Sequence, residues 1–154
     1  MHKWLLGLTF LCLSCQNHIL YHSYQPVSST GWLKGDSLQY ALPADLPQGN
    51  YNLYIGIKHC ETYQYRDLWL SVHQEITDSI STQHHTDTLH LYLANNLGRW
   101  KGTGIGGTRQ YESESPFVLP HESDKELKIK ISHIMQDEPL HAISFVGIRL
   151  EKKN

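Results

Sequence analysis

Period-two alternation of apolar and polar residues predicts an all-β fold, an antiparallel, jelly-roll-like β-sandwich of about seven or eight strands in a single domain. Three observations carry this. Aliphatic residues recur at every second position in six separate stretches, and Gly/Pro-bearing breakers fall between them. No long stretch shows the 3.6-residue stripe of an amphipathic helix. A strand with one apolar face must cover it, and a second sheet is the usual cover. A closed barrel would meet the same periodicity.

In chain order, Leu38, Tyr40 and Leu42 share one side of the first stretch. Tyr51, Leu53, Ile55 and Ile57 share a side of the second, opposite Asn52, Tyr54 and Lys58. Leu68, Leu70 and Val72 alternate with Trp69, Ser71 and His73, and Leu89, Leu91 and Leu93 alternate with His90 and Tyr92. Leu127, Ile129 and Ile131 alternate with Lys128, Lys130 and Ser132. Val146, Ile148 and Leu150 close the series, and the breakers are Pro43, Pro47-Gln48-Gly49, Gly102 to Gly107, Pro116, Pro120 and Pro139.

The N-terminus has a different character. Met1-His2-Lys3 is a short basic start, and Trp4 to Leu13 is almost wholly apolar. That run is shorter than the roughly 20 residues a bilayer span requires, and it matches a secretory signal. Cys15 directly after Ser14 has the form of a bacterial lipobox, so Cys15 is the expected lipidation site. The expected division is a signal peptide over 1–14, a lipidated N-terminus and polar tether over 15–30, and the sandwich over 31–154. Of three cysteines, Cys12 leaves with the signal and Cys15 is blocked as a thioether. Cys60 then has no partner for an intramolecular disulfide, and it reads as a small apolar residue rather than a nucleophile.

Charge and motifs exclude more than they assign. A net charge of −2 without a Lys/Arg cluster argues against a nucleic-acid partner. Among eleven histidines, His84, His85 and His90 lie close together near Asp87, but adjacent residues of an extended chain point apart. They read as exposed loop histidines, and no metal site is expected. The segment Trp100 to Gly107 lacks the Gly-Lys-Ser/Thr of a phosphate loop, so its glycines read as a bend or a close backbone approach at a sheet edge. The pairs Glu112/Glu114 and Asp137/Glu138 are sequence neighbours without sign of a cleft, and no Gly-x-Ser-x-Gly elbow occurs. No catalytic or cofactor-binding residue is assigned, and an enzyme is not expected. Trp69, Tyr54 and Tyr92 fall opposite the aliphatic stripes, whereas Trp32, Tyr63, Tyr65 and Trp100 lie in connections. Such rings either pack or form a contact surface.

Several of these segments together resemble the GldH family of gliding-motility lipoproteins from Bacteroidetes-type bacteria. They are Cys15, Gly49-Asn50-Tyr51-Asn52-Leu53-Tyr54-Ile55, Tyr63-Gln64-Tyr65-Arg66-Asp67-Leu68, Asp87-Thr88-Leu89, and Trp100-Lys101-Gly102-Thr103-Gly104. Met135-Gln136-Asp137-Glu138-Pro139-Leu140 and Val146-Gly147-Ile148-Arg149-Leu150-Glu151-Lys152 complete the set, in family order. Departures are Cys12 in the lipobox and Asp67, where the family tends to have Asn. The resemblance implies a non-catalytic envelope lipoprotein that supports gliding or its linked export machinery, with other envelope lipoproteins or export components as partners. Gln16-Asn17-His18 lacks the acidic cluster of surface export, which implies a periplasm-facing protein on the outer membrane. The alternative is a lipid-anchored carbohydrate-binding module, which a flat row of exposed rings would favour.

Overall fold

The computed structural model describes residues 19–114 and 116–153, so Cys15 and the signal segment lie outside the described residues. Among the described residues ten strands occur: β1 (Ile19–Pro26), β2 (Leu38–Ala41), β3 (Gly49–Cys60), β4 (Asp67–Thr77), β5 (Thr82–Tyr92), β6 (Thr103–Ile105), β7 (Thr108–Glu112), β8 (Phe117–His121), β9 (Glu126–His133) and β10 (Ile143–Lys152). They form two antiparallel sheets. One runs β1-β10-β3-β7-β6 with β8 also on β3, and the other runs β2-β9-β4-β5.

The pairing is nested. β1 pairs with β10, β2 with β9, β3 with β8 and β4 with β5, and successive pairs alternate between the sheets. A long antiparallel hairpin wound in this way is a jelly roll. Eight strands belong to the nest, and the short β6–β7 hairpin is an insertion at its edge. The predicted fold class holds.

The aliphatic stripes form the core between the sheets. Leu53, Ile55, Ile57, Val146, Ile148 and Leu150 of one sheet face Leu68, Leu70, Val72, Ile129 and Ile131 of the other, and all are essentially inaccessible. Tyr40 crosses the sandwich, its hydroxyl donating to the Val146 carbonyl at 2.7 Å. Burial raises the Tyr40 pKa and keeps the phenol a donor.

Two segments depart from the sequence reading. The stretch read as a tether, 15–30, contains edge strand β1, registered on β10 from Ile19↔Glu151 to Pro26↔Phe145. Its core-side positions Tyr21, Ser23 and Gln25 are mostly polar, which is why period-two hydrophobicity missed it. β8 contains Pro120 and was hidden as a breaker. Its neighbour β7 serves the far half of β3 and β8 the near half, so β3 meets one strand broken around Ser113. Ser113 fills the break, its amide donating to the Ile55 carbonyl and its hydroxyl accepting from the Ile55 amide.

Candidate functional site

The outer face of the four-stranded sheet gathers the chemistry. Alternation along β4 sends Leu68, Leu70 and Val72 inward, and so Asp67, Trp69, Ser71, His73 and Glu75 outward. Register places His90 opposite Trp69, Thr86 opposite His73, and His84 opposite Glu75. β9 adds Lys130 opposite His73 and Lys128 opposite Glu75. Two clusters result on one face.

The first is aromatic. Trp69 and His90 stack face to face, with centroids 3.8 Å apart and planes at 11°. Tyr92 leans on His90 at 4.3 Å, and the Arg66 guanidinium lies 6.0 Å from the Tyr92 ring. The His90 Nε2–H donates to the Asp67 carboxylate at 2.7 Å, which orients the imidazole in this stack. Trp69 and Tyr92 remain 39% and 46% exposed. Trp69 and His90 lie parallel, while the Tyr92 ring is tilted by 49° to His90. The three rings are not coplanar, so the flat platform that a sugar ring would lie on is not formed here.

The second cluster is His73, Glu75 and His84. The Glu75 Oε1 lies 3.7 Å from His73 Nε2 and 4.0 Å from His84 Nδ1. The His73 Nδ1 meets the Thr86 hydroxyl at 2.7 Å, and the two imidazoles lie nearly parallel at 22°. Lys130 bonds to Glu75, and that hydrogen bond is the main reason the Glu75 carboxyl is held below its ordinary pKa.

The histidines grouped by sequence therefore separate. His84, His85 and His90 lie on strand β5 rather than in a loop, which corrects the sequence reading. His84 and His90 share a face but are six residues apart, about 20 Å along a strand. His85 turns to the other side, 3.1 Å from Asp87. The trio with Glu75 was missed because it is assembled across strands. One signal was available: His73-x-Glu75 has same-face spacing, and the Asp78–Ser81 connection fixes the register. The Asp78 carboxylate caps that turn by accepting from the Ile80 and Ser81 amides.

The remaining candidates are occupied structurally. Glu112 pairs with Arg149, Glu114 with Lys101 at 2.8 Å, Asp137 accepts from Tyr65, and Glu138 accepts from the Lys34 amide at 3.1 Å. Gly106 and Gly107 hold φ of 63° and 81°, the left-handed pair that closes the β6–β7 hairpin, as the bend reading expects. Cys60 ends β3, half-buried. Trp32 and Tyr63 are buried, and Trp100 packs on His59 at 4.7 Å, so the connecting aromatics plug one pole of the sandwich. A shallow pocket of about 200 Å³ there is lined by Tyr63, Tyr65, Asp137 and His141.

Fold and surface define a jelly-roll sandwich that carries an exposed aromatic cluster and a His–Glu–His cluster on the outer face of its four-stranded sheet. The chain belongs to the GldH lipoprotein family, whose family model matches residues 19–150. It is 27% identical over 157 residues to the gliding motility lipoprotein GldH of Flavobacterium johnsoniae, covering 97% of this chain and 95% of that protein. It is 24% identical over 148 residues to a GldH homolog of Christiangramia forsetii, covering 92% and 88%. Among solved structures, Eiger TNF from S. frugiperda covers 89% of this chain and 94% of its own at 13% identity, with a TM-score of 0.32 that is too loose to inform function.

Proposed function

We propose that this protein is a lipid-anchored, non-catalytic scaffold of the cell envelope that serves gliding or its linked protein-export machinery by contact with other envelope proteins. The observation that carries this is the family match across nearly the whole described chain, with relatives named for gliding motility. Cys15 bears the lipid in this reading, after removal of residues 1–14, and the sandwich faces the periplasm from the outer membrane. Because β1 begins at Ile19, its first residue is at most about 14 Å of chain from Cys15. The domain would then sit close against the bilayer rather than on a long tether.

Contact is supported by the exposed Trp69–His90–Tyr92 stack, since Trp and Tyr are enriched where protein partners dock. The same stacking disfavours the carbohydrate-binding alternative. Affinity capture of the intact protein from detergent-solubilised envelopes tests the proposal, with Cys15→Ala and Trp69→Ala as comparisons. Recovery of gliding or export components that falls in both variants is the expected result. Recovery of glycan alone would overturn the scaffold reading, and protease shaving of intact cells that removed the domain would overturn the periplasmic orientation.

A further inference from the structure

We propose that His73, Glu75 and His84 form a binding site for one divalent cation of the zinc class on the open face of the four-stranded sheet. This goes beyond the scaffold reading and departs from the sequence expectation of no metal. It rests on geometry alone, since each residue presents one ligand atom and the three atoms lie within 4.8 Å of one another.

The donor set selects the ion. Two imidazole nitrogens and one carboxylate oxygen suit Zn²⁺ and its first-row neighbours, whereas Mg²⁺ and Ca²⁺ prefer sites made of oxygen alone. Bonds of 2.0–2.2 Å place the ligands of a tetrahedral ion about 3.3–3.6 Å apart. The separations of 3.7 and 4.0 Å from Glu75 Oε1 are therefore only a few tenths of an ångström too wide. Side chains on an exposed face close such gaps without moving the strands.

The surroundings support the same assignment. Metal-binding histidines donate their other ring N–H to a fixed acceptor, which sets the tautomer and aims the free lone pair. The Thr86 hydroxyl, 2.7 Å from His73 Nδ1, is placed to do this and leaves Nε2 facing Glu75 and His84. The two strands are held by an unbroken register from Asp67↔Tyr92 to Thr77↔Thr82, so the ligands sit on a rigid pair. Lys130 is the counter-charge of Glu75 when no cation is bound. Lys130 bonds the same Oε1 that faces both imidazoles, so a cation competes with its ammonium and binds as the flexible lysine swings aside. Three protein ligands leave the fourth position of a tetrahedral ion facing solvent, open to water or to a ligand from a partner.

Isothermal titration of the full-length protein in detergent with ZnCl₂ tests the site, with MgCl₂ and CaCl₂ as comparisons. One Zn²⁺ should bind per chain, with no response to the other two ions. His73→Ala, His84→Ala and Glu75→Gln should each abolish that binding, and Thr86→Val should weaken it about ten- to hundredfold. Lys130→Gln should tighten it. His85→Ala and His90→Ala should leave it unchanged, which separates this trio from the chain's other histidines. Co²⁺ should give ligand-field absorption bands that His84→Ala removes. Circular dichroism checks that each variant folds. Absence of Zn²⁺ binding by the wild type, or binding that survives both Glu75→Gln and His84→Ala, would overturn the assignment, whatever the outcome of the capture experiment.

Discussion

The outer faces of the two sheets make opposite use of similar residues. On the six-stranded sheet the groups around the centre of β3 and β10 are locked to one another. Gly147 of β10 lies opposite Gly56 of β3, and the Tyr24 ring of β1 fills the trough the two glycines leave. A Cβ at Gly147 would stand 2.6 Å from that ring, and one at Gly56 would stand 2.1 Å from its hydroxyl. Lys58 sits over Tyr24 at 4.7 Å, and Arg149 lies over Tyr54 at 4.2 Å while bonding Glu112 and Glu151. On the four-stranded sheet, rings and imidazoles stand exposed, with Glu75 shared between Lys130 and two histidines. The first face is satisfied internally and suits stability. The second keeps its ligands and rings available, which suits binding.

The sharpest test of that contrast is to break a pair on each face. Arg149→Ala removes a half-buried guanidinium from two carboxylates and an aromatic ring, and should cost about 2–3 kcal/mol in denaturant unfolding. The corresponding Lys130→Gln on the open face should cost about 1 kcal/mol or less. Equal costs would erase the distinction.

Gly147→Val should follow, at about 1–3 kcal/mol, because the new side chain expels Tyr24 from its trough. Neither glycine holds a positive φ, so the backbone itself accepts a side chain. Tyr24→Ala should therefore rescue Gly147→Val, and a double-mutant cycle that stayed additive would show that the ring is not the obstacle.

Acid sharpens the comparison by acting between the faces. The His59 Nδ1–H donates to the Cys60 carbonyl at 3.0 Å and the His133 Nε2–H to the Trp32 carbonyl at 2.9 Å, and the other nitrogen of each ring is buried without a partner. Burial lowers both pKa values below the ordinary 6.5. The unfolded chain then takes up protons first as pH falls. These two groups are without effect above about pH 6.5, and below it they reduce stability until their own lowered pKa values are passed. Unfolding free energy measured from pH 7.5 to 5 should fall through this window, and a His59→Phe/His133→Phe variant should show a shallower slope.

The smallest expected effect is on the open face. Trp69→Ala removes one stacked ring from the exposed surface and should change stability by about 0.5–1 kcal/mol. Its capture of envelope partners should fall much further. A large stability loss with unchanged capture would make the stack a packing feature.

Most of the fold was readable because one-sided strands repeat their apolar residues at period two, as in Leu53-Ile55-Ile57 and Ile129-Ile131. β1 was not, because an edge strand can present Ser23 and Gln25 inward where the core thins. The hairpin turn was legible in Gly106-Gly107, since only a pair that tolerates positive φ closes it. The exposed rings Trp69 and Tyr92 were placed on the correct face, yet whether they lay flat or stacked depended on His90 arriving from the next strand.

By itself, the sequence determined the all-β class, the apolar faces and the likeness to the GldH family. These are properties of local periodicity and contiguous motifs. Tertiary structure alone decided the nested winding, the pairing of β1 with β10, and the union of His73, Glu75 and His84. Each depends on which strand lies beside which and in what register, and a shift of one residue would turn every side chain to the other face.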